Sequence, residues 1–399
     1  MKRYFYIIVV LFLMFINSSV NAKGIDIKSK EAILYNLNDN SIIYEKNSNN
    51  ITYIASLTKI ATALVSIENI DNLDSYVIVK NSDLVGLNGY AKAGFKSGDK
   101  VTYRDLLYGL LLPSGADAAL ILANNISGNV DNFVNLMNKK VKQLNLKNTK
   151  FSNPVGMDAN NVSTASDIAI ILKEALKNQS FKTIFESNEY TTSNNLNLKK
   201  TTFSTSLRNN IDISFITGSK TGYTLKASYC LASTANINGV SYLLVTLNNP
   251  NKIGHIIDSL GIYNYYSSNY SYKQIVTKGK IITSIKVKHS KTKKYNIRAS
   301  KTIKKYLSND IDLNEIEYKY DGINTLNRKI KKGDCLGIVT ILYKEKKLSS
   351  FKVYLSSDIK YYNYWLLLIL LIPVVIVYLK YISIKKKKKK KKKVRKFLD

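Results

Sequence analysis

Histidine, cysteine and tryptophan are nearly missing from this chain, at two, two and one residues, and only four prolines are spread over 399 positions. His255 and His289 cannot form a histidine cluster, and no spacing of His, Cys, Asp and Glu reads as a ligand set, so no metal and no other cofactor is expected. A serine enzyme built on a histidine base would have to use one of these two. Two cysteines cannot build a disulfide framework. Cys230, in the apolar run SYCLASTA, and Cys335, about a hundred residues on, read as two separate buried thiols rather than one bridge. Acidic residues are also scarce, 28 against 60 Lys+Arg, which leaves a net charge of +32.

That charge suggests a nucleic-acid binder until it is located. The last twenty residues carry 12 basic and one acidic residue, or 12 − 1 = +11, and the remaining +21 is diffuse among Asn, Tyr, Ile and Lys. Without an arginine-rich stripe this is the pattern of AT-rich coding, and no nucleic-acid partner is expected. A positive field of this kind favours anionic lipids or wall polymers. What is abundant is apolar: 45% of the residues are hydrophobic, too many for a disordered chain, and the length suits about two soluble domains.

Both ends read as addresses. Lys2 and Arg3 precede an apolar run over 4–16, and Val20-Asn21-Ala22 ends on a small residue, so 1–22 is expected to be a cleaved signal peptide. Residues 361–384 contain the apolar run 365–379, flanked by Tyr361, Tyr362, Tyr364 and Tyr381, and nine lysines follow at 385–393. Interfacial tyrosines and a positive cytoplasmic flank predict one transmembrane helix over 361–384 and a cytoplasmic polylysine tail over 385–399. The body then lies on the extracellular side of a bacterial cell membrane.

Between the ends the pattern changes once. Over 25–265 helical and strand-like segments mix. A hairpin is expected at 32–36 and 41–45 around Asn38-Asp39-Asn40, and a helix from near Ser56 to Ile67. Capping boxes at Thr102/Asp105 and Thr164/Asp167 should open two further helices, the first ending before Pro113. Two antiparallel strands are expected at 228–235 and 240–247. Over 272–357 short alternating runs such as 281–287, 337–342 and 351–355 indicate a small all-β domain.

The chemistry begins at Ser56-Leu57-Thr58-Lys59. By itself this spacing says little, since it recurs at Ser97/Lys100, Ser290/Lys293, Ser349/Lys352 and Ser357/Lys360. Ser56, however, lies where an extended stretch meets an apolar helix, and Lys59 follows one turn later on the same face. A desolvated lysine near another cation can lose its proton near neutral pH and act as a base. Pro113-Ser114-Gly115 then presents a hydroxyl between two helices. Lys220-Thr221-Gly222 on a strand offers a charge, a hydroxyl donor and a residue without a side chain, a combination suited to a carboxylate. Each has a bland reading, as a helix start, a cap and a polar strand end; their conjunction in this order is specific.

The three motifs resemble those of the penicillin-recognising serine enzymes. The runs YIASLTKIATAL, DLLYGLLLPSGADAA, TKFSNPVGMD, STASDIA and GSKTGYTLKASYCLAS are similar to the D-alanyl-D-alanine carboxypeptidases among the low-molecular-weight penicillin-binding proteins. The resemblance covers about 25–265 and is weaker beyond. It implies an α/β fold of penicillin-binding/β-lactamase-like type, an antiparallel sheet flanked by helices plus a helical part, followed by the β domain and the anchor. It further implies that Ser56 attacks the bond between two D-alanines of a peptidoglycan stem peptide, with β-lactams as covalent inhibitors. Lys59 would take the proton and Ser114 pass it to the departing D-alanine. Lys220 and Thr221 would hold the terminal carboxylate, Gly222 would admit substrate backbone, and the N–H groups of Ser56 and Tyr223 would form the oxyanion hole. Ala116 stands where the family commonly has Asn, which puts a substrate contact in question. A β-lactamase is disfavoured because Ser193 stands where its deacylating glutamate would be. A transpeptidase, or a wall-binding protein without turnover, remains an alternative.

Overall fold

The computed structural model describes residues 25–157 and 160–395, so the signal-peptide expectation lies outside the described residues. The chain divides into two compact units, Met1–Ser268 and Asn269–Asp399.

The first unit is organised on a five-stranded sheet. Its strands are β1 (Glu31–Asn36), β2 (Ser41–Lys46), β3 (Ile216–Thr224), β4 (Ser228–Ile237) and β5 (Val240–Asn249), in the order β2-β1-β5-β4-β3. Every neighbouring pair is antiparallel. The expected hairpin and strand pair are both present. The β4–β5 connection is tighter than expected, because Asn238 and Gly239 both take positive φ, 53° and 77°. Such a two-residue turn matches the twist of the flanking strands and lets β4 run two residues further, to Ile237, while β5 begins at Val240 as expected and runs on at its far end to Asn249.

Alternation divides the sheet into two apolar faces. Ile33, Ala232, Val245 and Leu247 join the main helical core. On the opposite face Ser233 meets the Tyr263 hydroxyl at 3.0 Å, and Tyr242 and Tyr263 place their rings 6.0 Å apart. The helices are α1 (Thr58–Glu68), α2 (Tyr103–Leu111), α3 (Ala116–Ser127), α4 (Val130–Gln143), α5 (Ala165–Ala175), α6 (Gln179–Glu186), α7 (Thr201–Arg208) and α8 (Gly254–Asn269). Helix α1 runs through the middle of the helical core and is buried on all sides except at its last residue. The Thr102/Asp105 box is reciprocal, at 3.1 and 2.8 Å. At Thr164 only half the expected box forms: its hydroxyl accepts from the Asp167 N–H at 3.0 Å, but the Asp167 carboxylate turns to Thr149 instead.

In the second unit, strands occupy most of residues 270–354 in three small sheets, Tyr270–Val276 with Ile303–Ser308, Ile281–Val287 between Lys294–Arg298 and Thr325–Leu326, and Ile316–Gly322, Cys335–Tyr343 and Lys346–Tyr354. Ile285, Ile297, Leu336, Val339 and Val353 form one buried cluster there. Cys230 and Cys335 are both free thiols, but Cys335 is exposed, contrary to the expectation of two buried ones. It opens its strand at the edge of the alternating run, where the side chain faces solvent. Helix α9 spans Trp365–Arg395. Among the described residues, no helix is long and apolar enough to cross a membrane, so the span expected over 361–384 is not found there.

Candidate active site

Ser56 lies in a 3-10 turn, Ala55–Leu57, immediately before α1. Ala55 is held at φ 46°, a left-handed conformation uncommon for a residue with a side chain. Glycines fix this turn on two sides. A Cβ on Gly156 would fall 2.1 Å from the Ala55 carbonyl oxygen, and one on Gly222 would come to 3.1 Å from the Ser56 nitrogen. Gly222 therefore also makes room for the nucleophile's own turn, in addition to the substrate backbone for which the sequence reserved it.

One turn along α1, the Lys59 Nζ lies 3.1 Å from the Ser56 Oγ and donates to the Val155 carbonyl at 2.8 Å. That carbonyl is aimed by two asparagines. Asn153 accepts from the Val155 and Gly156 N–H groups, and Asn161 accepts from the Ser152 and Asn153 N–H groups while donating to the Thr58 hydroxyl. Lys59 is 1% exposed. Burial pulls its ammonium down to about 7, with the charge of Asp117 opposing. An amine that titrates near neutrality beside a hydroxyl can accept its proton, provided it is in the neutral state.

Ser114 sits between α2 and α3 at φ 68°. It does not cap α3, whose N-cap is Gly115. Instead its Oγ accepts from the Lys220 Nζ at 2.8 Å, and Lys220 also donates to the Thr221 carbonyl at 2.8 Å. Burial, then the charges of Lys59 and Lys200, hold Lys220 well below the ordinary lysine value. A cavity of about 1130 Å³ is lined by Ser56, Lys59, Ser114, Thr221, Gly222 and Tyr223, with Ala116, Thr205 and Arg208. Lys220 is not among its lining residues and reaches it through Ser114. The cavity runs along β3, an edge strand of the sheet, which leaves that edge open to an extended peptide.

Four contributors were not singled out from the sequence. The Asp117 carboxylate accepts from the N–H groups of Ala93, Gly94 and Phe95 at 2.8 to 3.2 Å, and so fixes the segment that follows the lining residues Tyr90 and Ala91. Lys200 is buried, with its Nζ donating to the Phe185 carbonyl in the last turn of α6, where a cation is favoured. Burial takes Lys200 to about 7, with Glu186 opposing. Asn161 ties the Val155 loop to α1, and Arg208 ends α7 at the cavity. Arg208 had one available signal, being one of only six arginines in the chain.

A serine beside a buried amine, with a second hydroxyl held by a second buried amine, defines a serine acyl-transfer centre that uses no imidazole. Residues 17–251 match the D-alanyl-D-alanine carboxypeptidase family, and the chain belongs to it. It is 29% identical over 339 residues to the D-alanyl-D-alanine carboxypeptidase DacF of Bacillus subtilis, covering 84% of this chain and 86% of that one. It is 33% identical over 240 residues to the D-alanyl-D-alanine carboxypeptidase of Streptomyces sp. K15, 56% of this chain and 81% of that one. Among solved structures, penicillin binding protein 5 from Haemophilus influenzae matches with a TM-score of 0.65 at 25% identity, over 84% of this chain and 98% of that one.

Proposed function

We propose that the chain is a serine D-alanyl-D-alanine carboxypeptidase that removes the terminal D-alanine from peptidoglycan stem peptides through an acyl-enzyme on Ser56. The observation that carries this reading is the Lys59 amine, 3.1 Å from the Ser56 hydroxyl and pulled by burial to about 7. In its neutral form Lys59 takes the hydroxyl proton as Ser56 Oγ attacks the scissile carbonyl. The N–H groups of Ser56 and Tyr223 receive the oxyanion. Ser114, oriented by Lys220, takes that proton from the Lys59 ammonium as it gives its own to the leaving D-alanine amine, which returns Lys59 to the neutral form; Thr221 and Arg208 hold the D-alanine carboxylate. Water then attacks the acyl ester and releases the shortened peptide, so that one peptide bond and one water are consumed. A β-lactam enters the first half of the same sequence.

A transpeptidase on the same scaffold is the second reading, favoured by the likeness to a structure described as a Streptomyces K15 DD-transpeptidase, 31% identical with a TM-score of 0.55. Mass spectrometry on the detergent-solubilised full chain with a pentapeptide ending in D-Ala-D-Ala separates these readings. Free D-alanine with a tetrapeptide supports hydrolysis, and a cross-linked dimer supports transfer. Covalent labelling by a β-lactam without either product would leave a binding protein.

For location, the reading is export by the 1–22 leader, a catalytic domain over 25–265, a β-rich domain over 272–357 and an anchor over 361–384. Its support is the helical stretch that exposes Ile369, Leu371, Ile372, Val374, Val375, Ile376 and Val377 side by side, a continuous apolar surface that suits lipid better than water, followed by lysines.

A further inference from the structure

We propose that the cleft continues past the scissile bond into an anion-binding subsite, formed by Lys226 and Lys252 over a wall of Tyr223, Tyr229 and His255, that takes a carboxylate-bearing residue on the acyl side of the peptide. This rests on the carboxypeptidase reading, which sets the direction of the substrate along β3. With the terminal carboxylate at Thr221 and Arg208, and the reacting carbonyl at Ser56 opposite Gly222, the acyl part runs past Tyr223 and Thr224 toward Lys226. β3 ends at Thr224, and Lys226 lies in the short turn that leads back into β4, at the end of the cleft.

Lys226, Lys252 and Tyr223 are exposed at the end of the cleft, and several observations mark this end as a subsite. The cavity, about 1130 Å³, exceeds the roughly 300–1,000 Å³ that holds a drug-sized ligand, and a D-Ala-D-Ala terminus is smaller than such a ligand. Tyr229 stacks between Tyr223, at 4.3 Å, and His255, at 5.5 Å, giving one continuous aromatic wall. His255 lines the cavity, is buried, and its Nδ1 has no hydrogen-bond partner among the described residues. Burial pulls its imidazole down to about 4, so at neutral pH the wall is uncharged and the lysines carry the discrimination. In a chain this rich in lysine, two such residues would carry little by themselves. Here neither is in an ion pair among the described residues, Lys226 is held 5.6 Å over the Tyr53 ring, and no acidic side chain among the described residues lines the cavity.

The test uses the detergent-solubilised full chain and three peptides ending in D-Ala-D-Ala that differ only at the third residue before the scissile bond: Glu, Gln or Lys. D-alanine release gives kcat/KM. Separately, each peptide's protection of Ser56 against a fluorescent β-lactam gives binding without requiring turnover. At low salt the Glu peptide should be preferred over the Lys peptide by about tenfold, chiefly in KM, and the preference should shrink as salt screens it. The double variant Lys226→Glu/Lys252→Glu should reverse the order of the Glu and Lys peptides, each measured relative to the Gln peptide in the same variant. Equal kcat/KM for the three peptides, or an order unchanged in the double variant, overturns the subsite. Should no peptide be hydrolysed, the carboxypeptidase reading fails by itself. The subsite then stands if the Glu peptide protects Ser56 best, and falls if the three protect equally.

Discussion

The nine lysines at 385–393 and the trio Lys59, Lys200 and Lys220 are one residue type in opposite settings. Those at 385–390 are exposed along the C-terminal helix, where each adds one solvated charge and little else. The trio is buried in the first unit, and burial depresses all three amines. Among the described residues, Asp117, near Lys59, and Glu186, near Lys200, oppose that depression. The contrast shows that a net charge of +32 says almost nothing about chemistry, whereas desolvated lysines, two of which act on the third, are where an acyl-transfer base is to be sought.

The sharpest way to break the contrast is to exchange the roles. Lys59→Ala should slow acylation of Ser56 by a β-lactam by about 10²–10⁴-fold, the range expected when a general base is removed. Replacing all nine tail lysines by glutamine should leave that rate unchanged. Stopped-flow measurement of labelling on the solubilised full chain reads both. A loss below about threefold for Lys59→Ala would mean that another group takes the Ser56 proton. For the wild type, the rate should climb as pH rises through about 7, because the neutral amine is the active form and burial places its titration there.

The tail lysines have their own test. If the proposed anchor over 361–384 holds the chain, a high-salt wash should leave the full-length protein in the membrane fraction and detergent should release it, since a spanning helix resists salt. Release by salt would show that the lysines, and not the apolar run before them, hold the chain.

Stability should carry the next effect. In the unfolded chain these lysines keep their protons to about 10.5, whereas folded Lys59 and Lys200 release them at about 7. Between those values the unfolded state binds more protons, so stability rises with pH. From pH 6 to 9 each residue accounts for up to roughly 2–3 kcal/mol. Lys200→Met should therefore flatten the rise by about one such increment, as read from urea midpoints across the pH range. Loss of the bond to the Phe185 carbonyl costs about 1 kcal/mol at every pH and does not change the slope. A rise of undiminished steepness would place Lys200's titration elsewhere.

The same contrast explains what the sequence could tell. Ser56, Lys59, Ser114, Lys220, Thr221, Gly222 and Tyr223 come from three short motifs, each carrying its own local geometry, and the structure brings six of the seven to one cavity. Lys220 stands behind Ser114 because its burial depends on β3 packing under the α2–α3 junction, a contact 106 residues distant in sequence. Lys200 and Asp117 were illegible for the same reason: in a row of lysines, or at the start of a helix, nothing local distinguishes a buried charge from a solvated one. Elements were read more easily than partners. The β4–β5 turn and the Thr102 box rest on neighbours in sequence, whereas Asp167 abandons its half of a box for Thr149, which only the folded chain brings near.

The smallest expected effect concerns Ala116, the departure from the commoner motif. It lies at the start of α3 and lines the cavity although its methyl is buried, and its N–H is already committed to the Ala91 carbonyl at 2.8 Å. An asparagine there would have the cavity to enter, and its amide could meet the substrate without disturbing the Asp117 bonds that fix the neighbouring wall. A neutral hydrogen bond of this kind contributes about 0.5–1.5 kcal/mol. Ala116→Asn should therefore fold with an unchanged melting temperature, be acylated at Ser56, and alter peptide turnover by no more than about tenfold, equivalent to about 1.4 kcal/mol. The substrate must be a peptide, because a small β-lactam does not reach far enough to report on this position. If the natural chain released no D-alanine and Ala116→Asn restored release by several orders of magnitude, the buried lysines would be an intact site held silent by one missing amide, and the binding-protein reading would replace the enzyme.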